Sequence, residues 1–91
     1  MNFTEPELVR QLKLGDEIAF CYLFDTYYAL LCHIAGEFLK DNSMAENVVG
    51  DVIFHLWENR EKLDIQSSVQ AYLVIAVRNR SINYQEQEYS V

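Results

Sequence analysis

Ala19, Phe20, Leu23, Phe24, Tyr27, Leu30, Leu31, Ile34, Ala35 and Phe38 recur at intervals of three and four residues, the rhythm of one face of an α-helix. This pattern predicts the longest helix of the chain, opened by Asp16 as N-cap and broken at KDNS. Before it, TEPE places Thr4 as N-cap, Pro6 in the first turn and Glu7 in a capping box. That first helix carries Leu8, Leu12 and Val9 as its apolar stripe and ends near Gly15. A second capping box, Ser43 with Glu46, opens a third helix that runs to about Arg60. Its buried face is Ala45, Val48, Val49, Val52 and Leu56. KLDIQSS is the next connection, and Ser67 or Ser68 caps a fourth helix. The arc expected to be buried there is Val69, Tyr72, Leu73, Ile75, Ala76, Asn79 and Ile82. The polar tail QEQEYSV, residues 85–91, is expected to fray.

Four apolar faces joined by short connections imply an all-α fold, a compact four-helix domain spanning residues 1–91. Three glycines and one proline are too few for the turns of many short strands. A helical bundle by itself carries no function.

Charge changes the picture more than composition does. The chain is −7 overall, with −3 over residues 1–40, −4 over 41–68 and 0 over 69–91. Such acidity argues against unaided binding to a polyphosphate backbone. Yet Arg78 and Arg80 stand together in AVRNRSINY, inside the one neutral segment. The N-terminal MNFTEPELVR has early acid and no apolar signal-peptide core. The apolar stretches read as too short and interrupted for a bilayer span. Cys21 and Cys32 lie about 16 Å apart along one helix, too far for a disulfide, and are expected to be small core residues. A reduced, cytoplasmic protein without membrane insertion is the expectation.

Two surfaces stand out as candidates. On the fourth helix, Arg78, Ser81 and Tyr84 fall away from the expected core arc and should be reachable. Arg80, about 200° from Arg78 on the wheel, is expected to pair with an acid of a neighbouring helix. Against a ligand-binding role stands the preference of helix C-termini for cations. On the third helix, Asn47, Asp51, Phe54 and Glu58 lie opposite the valine face, with Gly50 and Trp57 to one side. A Phe and a Trp outside the stripe mark either a partner surface or rings folded back over a neighbouring element. No HExxH, CxxC or paired-carboxylate spacing appears, and no glycine-rich phosphate loop. Neither a metal, a cofactor nor an enzymatic constellation is expected.

AENVVGDVIFHLWENREKLD followed by SSVQAYLVIAVRNRSINY resembles region two of the sigma-70 family of RNA polymerase sigma factors. The resemblance is nearest to the extracytoplasmic-function group in the style of Bacteroidetes. LKLGDEIAFCYLFDTYYALLCHIAGEFLKD is similar to the opening helices of the same domain, so the likeness covers roughly residues 8–84. It implies a domain of sigma region-two type that binds core RNA polymerase and recognises and helps melt the −10 promoter element. By that likeness Asn47, Gly50, Asp51, Phe54 and Glu58 would dock on the β′ clamp helices. The loop Asp64, Ile65, Gln66, Ser67 and Ser68, with Arg78, Ser81 and Tyr84, would face the DNA, where a base is flipped from the stack. Asn79 and Asn83 are expected towards the core, and Tyr84 either stacks on a base or covers the core. An anti-sigma factor is a further partner the family implies. The chain departs from the family pattern at Asn47, usually an acid, and at Gly50, usually a glutamine. A mid-helix glycine costs about 1 kcal/mol against alanine. The acidic QEQEYSV replaces a basic stretch, and no region four, the reader of the −35 element, falls within these residues. A second reading therefore stands beside the first: a sigma-like interaction module that binds polymerase or an anti-sigma partner without engaging DNA.

Overall fold

Thr4 opens α1 (Glu5–Lys13) as expected, its hydroxyl accepting from the Glu7 N–H at 3.3 Å with Pro6 in the first turn. The computed structural model describes residues 2–65 and 67–89, with side chains to residue 86. Gly15, at φ +81°, turns the chain into α2 (Glu17–Gly36), which Asp16 caps through the Ile18 N–H at 2.9 Å. A Cβ at Gly15 would be strained by that φ and would lie 3.2 Å from Arg60 Nε, so the turn and the arginine fit each other only through glycine.

The buried stripe of α2 is Ala19, Leu23, Tyr27, Leu31 and Ala35, one residue every fourth position. It is narrower than the periodicity suggests: Phe24 and Leu30 are exposed at its edges, and Phe20, Ile34 and Phe38 are half-buried. Against expectation, α2 is long and apolar enough to cross a bilayer by length and composition alone. It packs on both α3 and α4, yet only 28 % of that apolar stretch is buried, with Ile18, Phe24 and Leu30 exposed.

α3 (Asn42–Glu58) starts earlier than the predicted capping box. Asp41, not Ser43, is the cap, its carboxylate accepting from the Ser43 N–H at 2.8 Å. An ionised acceptor at a helix N-terminus gains both a charge-assisted bond and the dipole, and buried Leu39 just before it fixes where the turn begins. The valine face is buried as read, joined by Ile53. A single 3-10 turn, Arg60–Lys62, follows. Ser68 then caps α4 (Val69–Tyr89) by accepting from the Ala71 N–H at 3.0 Å. The backbone is helical through residues 85–89, and residues 90–91 of the predicted tail lie outside the described residues.

The register of α4 differs from the expected one. Its buried line is Val69, Leu73, Val77 and Ser81, whereas Ile75 is 57 % exposed and Asn79 faces out. Two apolar lines run along this helix, so periodicity alone does not choose between them. Packing against α2 and α3 together selects the line of small and branched residues.

Ser81 therefore sits in the core, fully buried, and its hydroxyl has no hydrogen-bond partner among the described residues. A desolvated hydroxyl without a partner costs about 1–3 kcal/mol, and alanine is the better helix former. Ser81→Ala is expected to stabilise the domain by about 1 kcal/mol, seen as a rise of roughly 4–8 °C in Tm by circular dichroism. A fall in Tm would mean that the hydroxyl is satisfied.

Candidate functional site

Asn47, Asp51, Phe54 and Glu58 follow one another at intervals of four, three and four, so they form a single line along the outer side of α3. Phe54 is 60 % exposed at its centre, flanked by exposed Asn47 and Glu58 and half-buried Asp51. Beside them, nothing lies within 4 Å of where a Cβ at Gly50 would stand, so the glycine is not demanded by crowding. Trp57 takes the inward alternative. Its ring packs on Phe20 of α2, centroids 4.7 Å apart, and Arg60 lies over it at 4.5 Å. Arg60 also donates to the Trp57 carbonyl at 3.0 Å, which ties the end of α3 to the Gly15 turn.

Arg80 pairs with Asp51 of α3 at 3.4 Å, the cross-helix acid its position predicts. Both side chains are half-exposed, so the pair adds little stability. It gives Arg80 an acidic partner, whereas Arg78, also exposed, has no ion pair among the described residues. The amides Asn79 and Asn83 were expected to face the core, but both are exposed. With His55, Tyr72 and Arg80 they line a groove of about 220 Å³ between α3 and α4. Their i, i+4 spacing, bracketing an arginine, was the available sequence signal. Each amide offers a donor and an acceptor.

The remaining predicted residues divide. Ser81, being buried, cannot contact a ligand. Tyr84 is half-buried and packs against the core, which fits the covering role. In the loop, Asp64 and Ser67 are exposed, Ile65 packs against the core, and Ser68 is half-buried with its hydroxyl on the α4 N-terminus. Gln66 lies outside the described residues. Cys21 is exposed and Cys32 half-buried, so the expected core position fails for Cys21; both are free thiols. Cys21 falls two positions after Ala19 and two before Leu23, off the stripe that packs. Among the described residues no group of three His, Cys, Asp or Glu could hold a metal ion.

One contact escaped sequence reasoning altogether. The Glu5 carboxylate accepts from the Val69 N–H at 3.0 Å, joining α1 to the first residue of α4 across 64 positions. It supplements the Ser68 cap and holds the end of the loop. Burial raises the pKa of Tyr27 above its ordinary value, and the charge of Glu5 adds to the rise. Glu5→Ala is expected to cost about 0.5–2 kcal/mol, the usual price of losing an N-terminal acceptor, with Glu5→Gln retaining part of it. Urea denaturation measures both.

These elements define a small all-helical module with an exposed aromatic on one helix and an arginine–amide surface on the next. The chain matches the sigma-70 region 2 family over residues 23–89 and belongs to that family. Domains of this family are the part of a sigma factor involved in RNA polymerase binding and promoter recognition, and they are not enzymes. Comparison with curated proteins and with solved structures gives no match. α1 and the first turns of α2 precede the matched residues.

Proposed function

We propose that this domain docks on the β′ clamp helices of core RNA polymerase through the Asn47–Glu58 line of α3 and helps recognise and open the −10 promoter element. The observation that carries this reading is the separation of its two surfaces. Phe54 stands exposed on α3, while Arg78, Asn79 and Asn83 are exposed further along α4, about 14–21 Å of helix rise from its first residue Val69. One surface suits an apolar protein contact; the other offers a cation and amides to an opened strand. The polymerase supplies most of the DNA affinity, which reconciles the domain's role with a net charge of −7. The sequence pattern supports placement in the extracytoplasmic-function group of Bacteroidetes type, with a cytoplasmic site of action. An anti-sigma factor is a further candidate partner and would compete for the Phe54 face.

Arg78→Ala tests the DNA-facing half. In the complex with core polymerase it should weaken promoter-strand binding and lower the salt slope by about 0.7, one phosphate contact on a single strand. Binding to polymerase itself should not change. The acidity of the chain favours the other reading, an interaction module that leaves DNA alone. An Arg78→Ala variant indistinguishable from the parent in both assays would support that reading instead.

A further inference from the structure

α2 carries a second line of residues, turned away from its buried stripe. Ile18, Cys21, Asp25, Tyr28 and Cys32 follow one another at intervals of three, four, three and four, the spacing of a coiled-coil seam. The seam lies about 140° round the helix from the middle of the stripe formed by Ala19, Leu23, Tyr27, Leu31 and Ala35. Ile18 is 58 % exposed, Cys21 and Asp25 are exposed, and Tyr28 and Cys32 are half-buried. Exposed Phe24 borders the seam and stacks on Tyr28, the ring centroids 4.6 Å apart. At its N-terminal end the seam opens into a groove of about 350 Å³ against α1, lined by Phe3, Glu7, Arg10, Gln11, Asp16 and Ile18. A continuous apolar and aromatic line of this kind marks an interaction surface, unlike singly scattered apolar residues.

Charge narrows the choice of occupant. α2 has no lysine or arginine; its acids are Glu17 and Asp25, and His33 in its last turn lies 3.8 Å from Glu37. Asp25 stands at the middle of the seam and has no ion pair among the described residues. A hydrogen bond with Cys32, burial, and the charges of Cys32 and Glu46 raise the pKa of Tyr28, so a further acid, from α3, bears on the seam. A docked helix would take Asp25 out of water, which is costly for a carboxylate unless a cation meets it. A second copy of the chain, paired in register or antiparallel about the middle of the seam, would set Asp25 against Asp25 on a molecule of charge −7. An anionic membrane surface would be repelled for the same reason. We propose that this face of α2 receives an amphipathic α-helix of another protein, its apolar residues along Ile18, Cys21, Phe24 and Tyr28 and a lysine or arginine opposite Asp25. One charged position in an otherwise apolar seam fixes register and partner, so Asp25 selects the helix and the apolar residues supply the buried area. No seam residue belongs to the α3 line or to the exposed surface of α4, so the inference does not depend on the polymerase and promoter readings.

The test uses the whole chain and a synthetic helical peptide of about three heptads, with leucine at the seam positions, one central lysine and glutamine on its outer face. A matched peptide carries glutamate in place of the lysine. By fluorescence anisotropy the lysine peptide should bind roughly tenfold more tightly than the glutamate peptide, and it should slow maleimide labelling of Cys21. Asp25→Lys should reverse that preference, and Phe24→Ser should weaken both peptides. Glu61→Lys makes the same change of charge on the exposed turn after α3 and should leave the preference as it is. Phe54→Asp should not affect the peptides, so loss of polymerase docking and loss of this site are read separately. Equal affinity for the two peptides, binding of neither, or a preference that survives Asp25→Lys would overturn the proposal. Self-association in sedimentation equilibrium that protects Cys21 without peptide would make a second copy the occupant and overturn it too. Protection of Cys21 by core polymerase alone would assign the face to polymerase, with the same consequence.

Discussion

Phe54→Asp is expected to weaken binding to core RNA polymerase by roughly 30-fold or more while leaving the helical fold intact. Phe54 is 60 % exposed, so the isolated domain gains almost nothing from it, and such surface changes move stability by about 0.5 kcal/mol or less. At an interface the balance reverses. A large apolar side chain central to its patch is the kind of anchor whose loss costs about 2 kcal/mol or more, and each 1.4 kcal/mol is about tenfold. Aspartate adds to the loss by carrying a charge into a contact that excludes water. Phe54→Leu should retain much of the affinity, because area rather than aromaticity dominates burial. Titration of labelled domain with polymerase, beside circular dichroism of each variant, separates docking from folding. Equal affinities for Phe54→Asp and the parent would remove α3 as the docking element.

Leu73→Ala is expected to destabilise the domain by about 2–5 kcal/mol, the range for a buried leucine truncated to alanine. Leu73 is fully buried in the middle of the Val69, Leu73, Val77, Ser81 line, where α4 meets the rest of the core. A domain of 91 residues holds only about 5–15 kcal/mol in all, so the substitution removes a large share of it. Both functional surfaces should then weaken together, since α3 and α4 are each held in place through that core. Ile75→Ala, only two residues on, is the control. At 57 % exposure it should change stability by about 0.5 kcal/mol or less. The reverse order of effects in urea denaturation would restore the register that helical periodicity suggested.

That register shows where sequence reasoning reached its limit. The helices themselves were legible, because Thr4, Asp16 and Ser68 act through groups two or three residues away. The inward face of α3 was legible too, since its valines stand opposite polar residues. α4 offers no such contrast: apolar residues surround much of its first half, and only its neighbours decide which are covered. The error passed directly into the site, placing Ser81 outside and Asn79 and Asn83 inside. Arg80 was still paired correctly, because an arginine at the edge of a helix needs only some acid within reach, and Asp51 lies there. The Glu5–Val69 bond spans 64 positions and leaves no local signature, so the coupling of α1 to the loop emerges only in three dimensions. Asp41 displaced Ser43 as a cap because two candidates two residues apart are both chemically competent, and the buried Leu39 sets the entry of the chain.

The most direct measurement is equilibrium binding of the purified domain to core RNA polymerase at moderate salt, with helicity verified in the same sample. A saturable complex that Phe54→Asp abolishes is the expected result. A folded, helical domain that forms no complex would contradict docking through α3, and with it the proposed role in promoter opening.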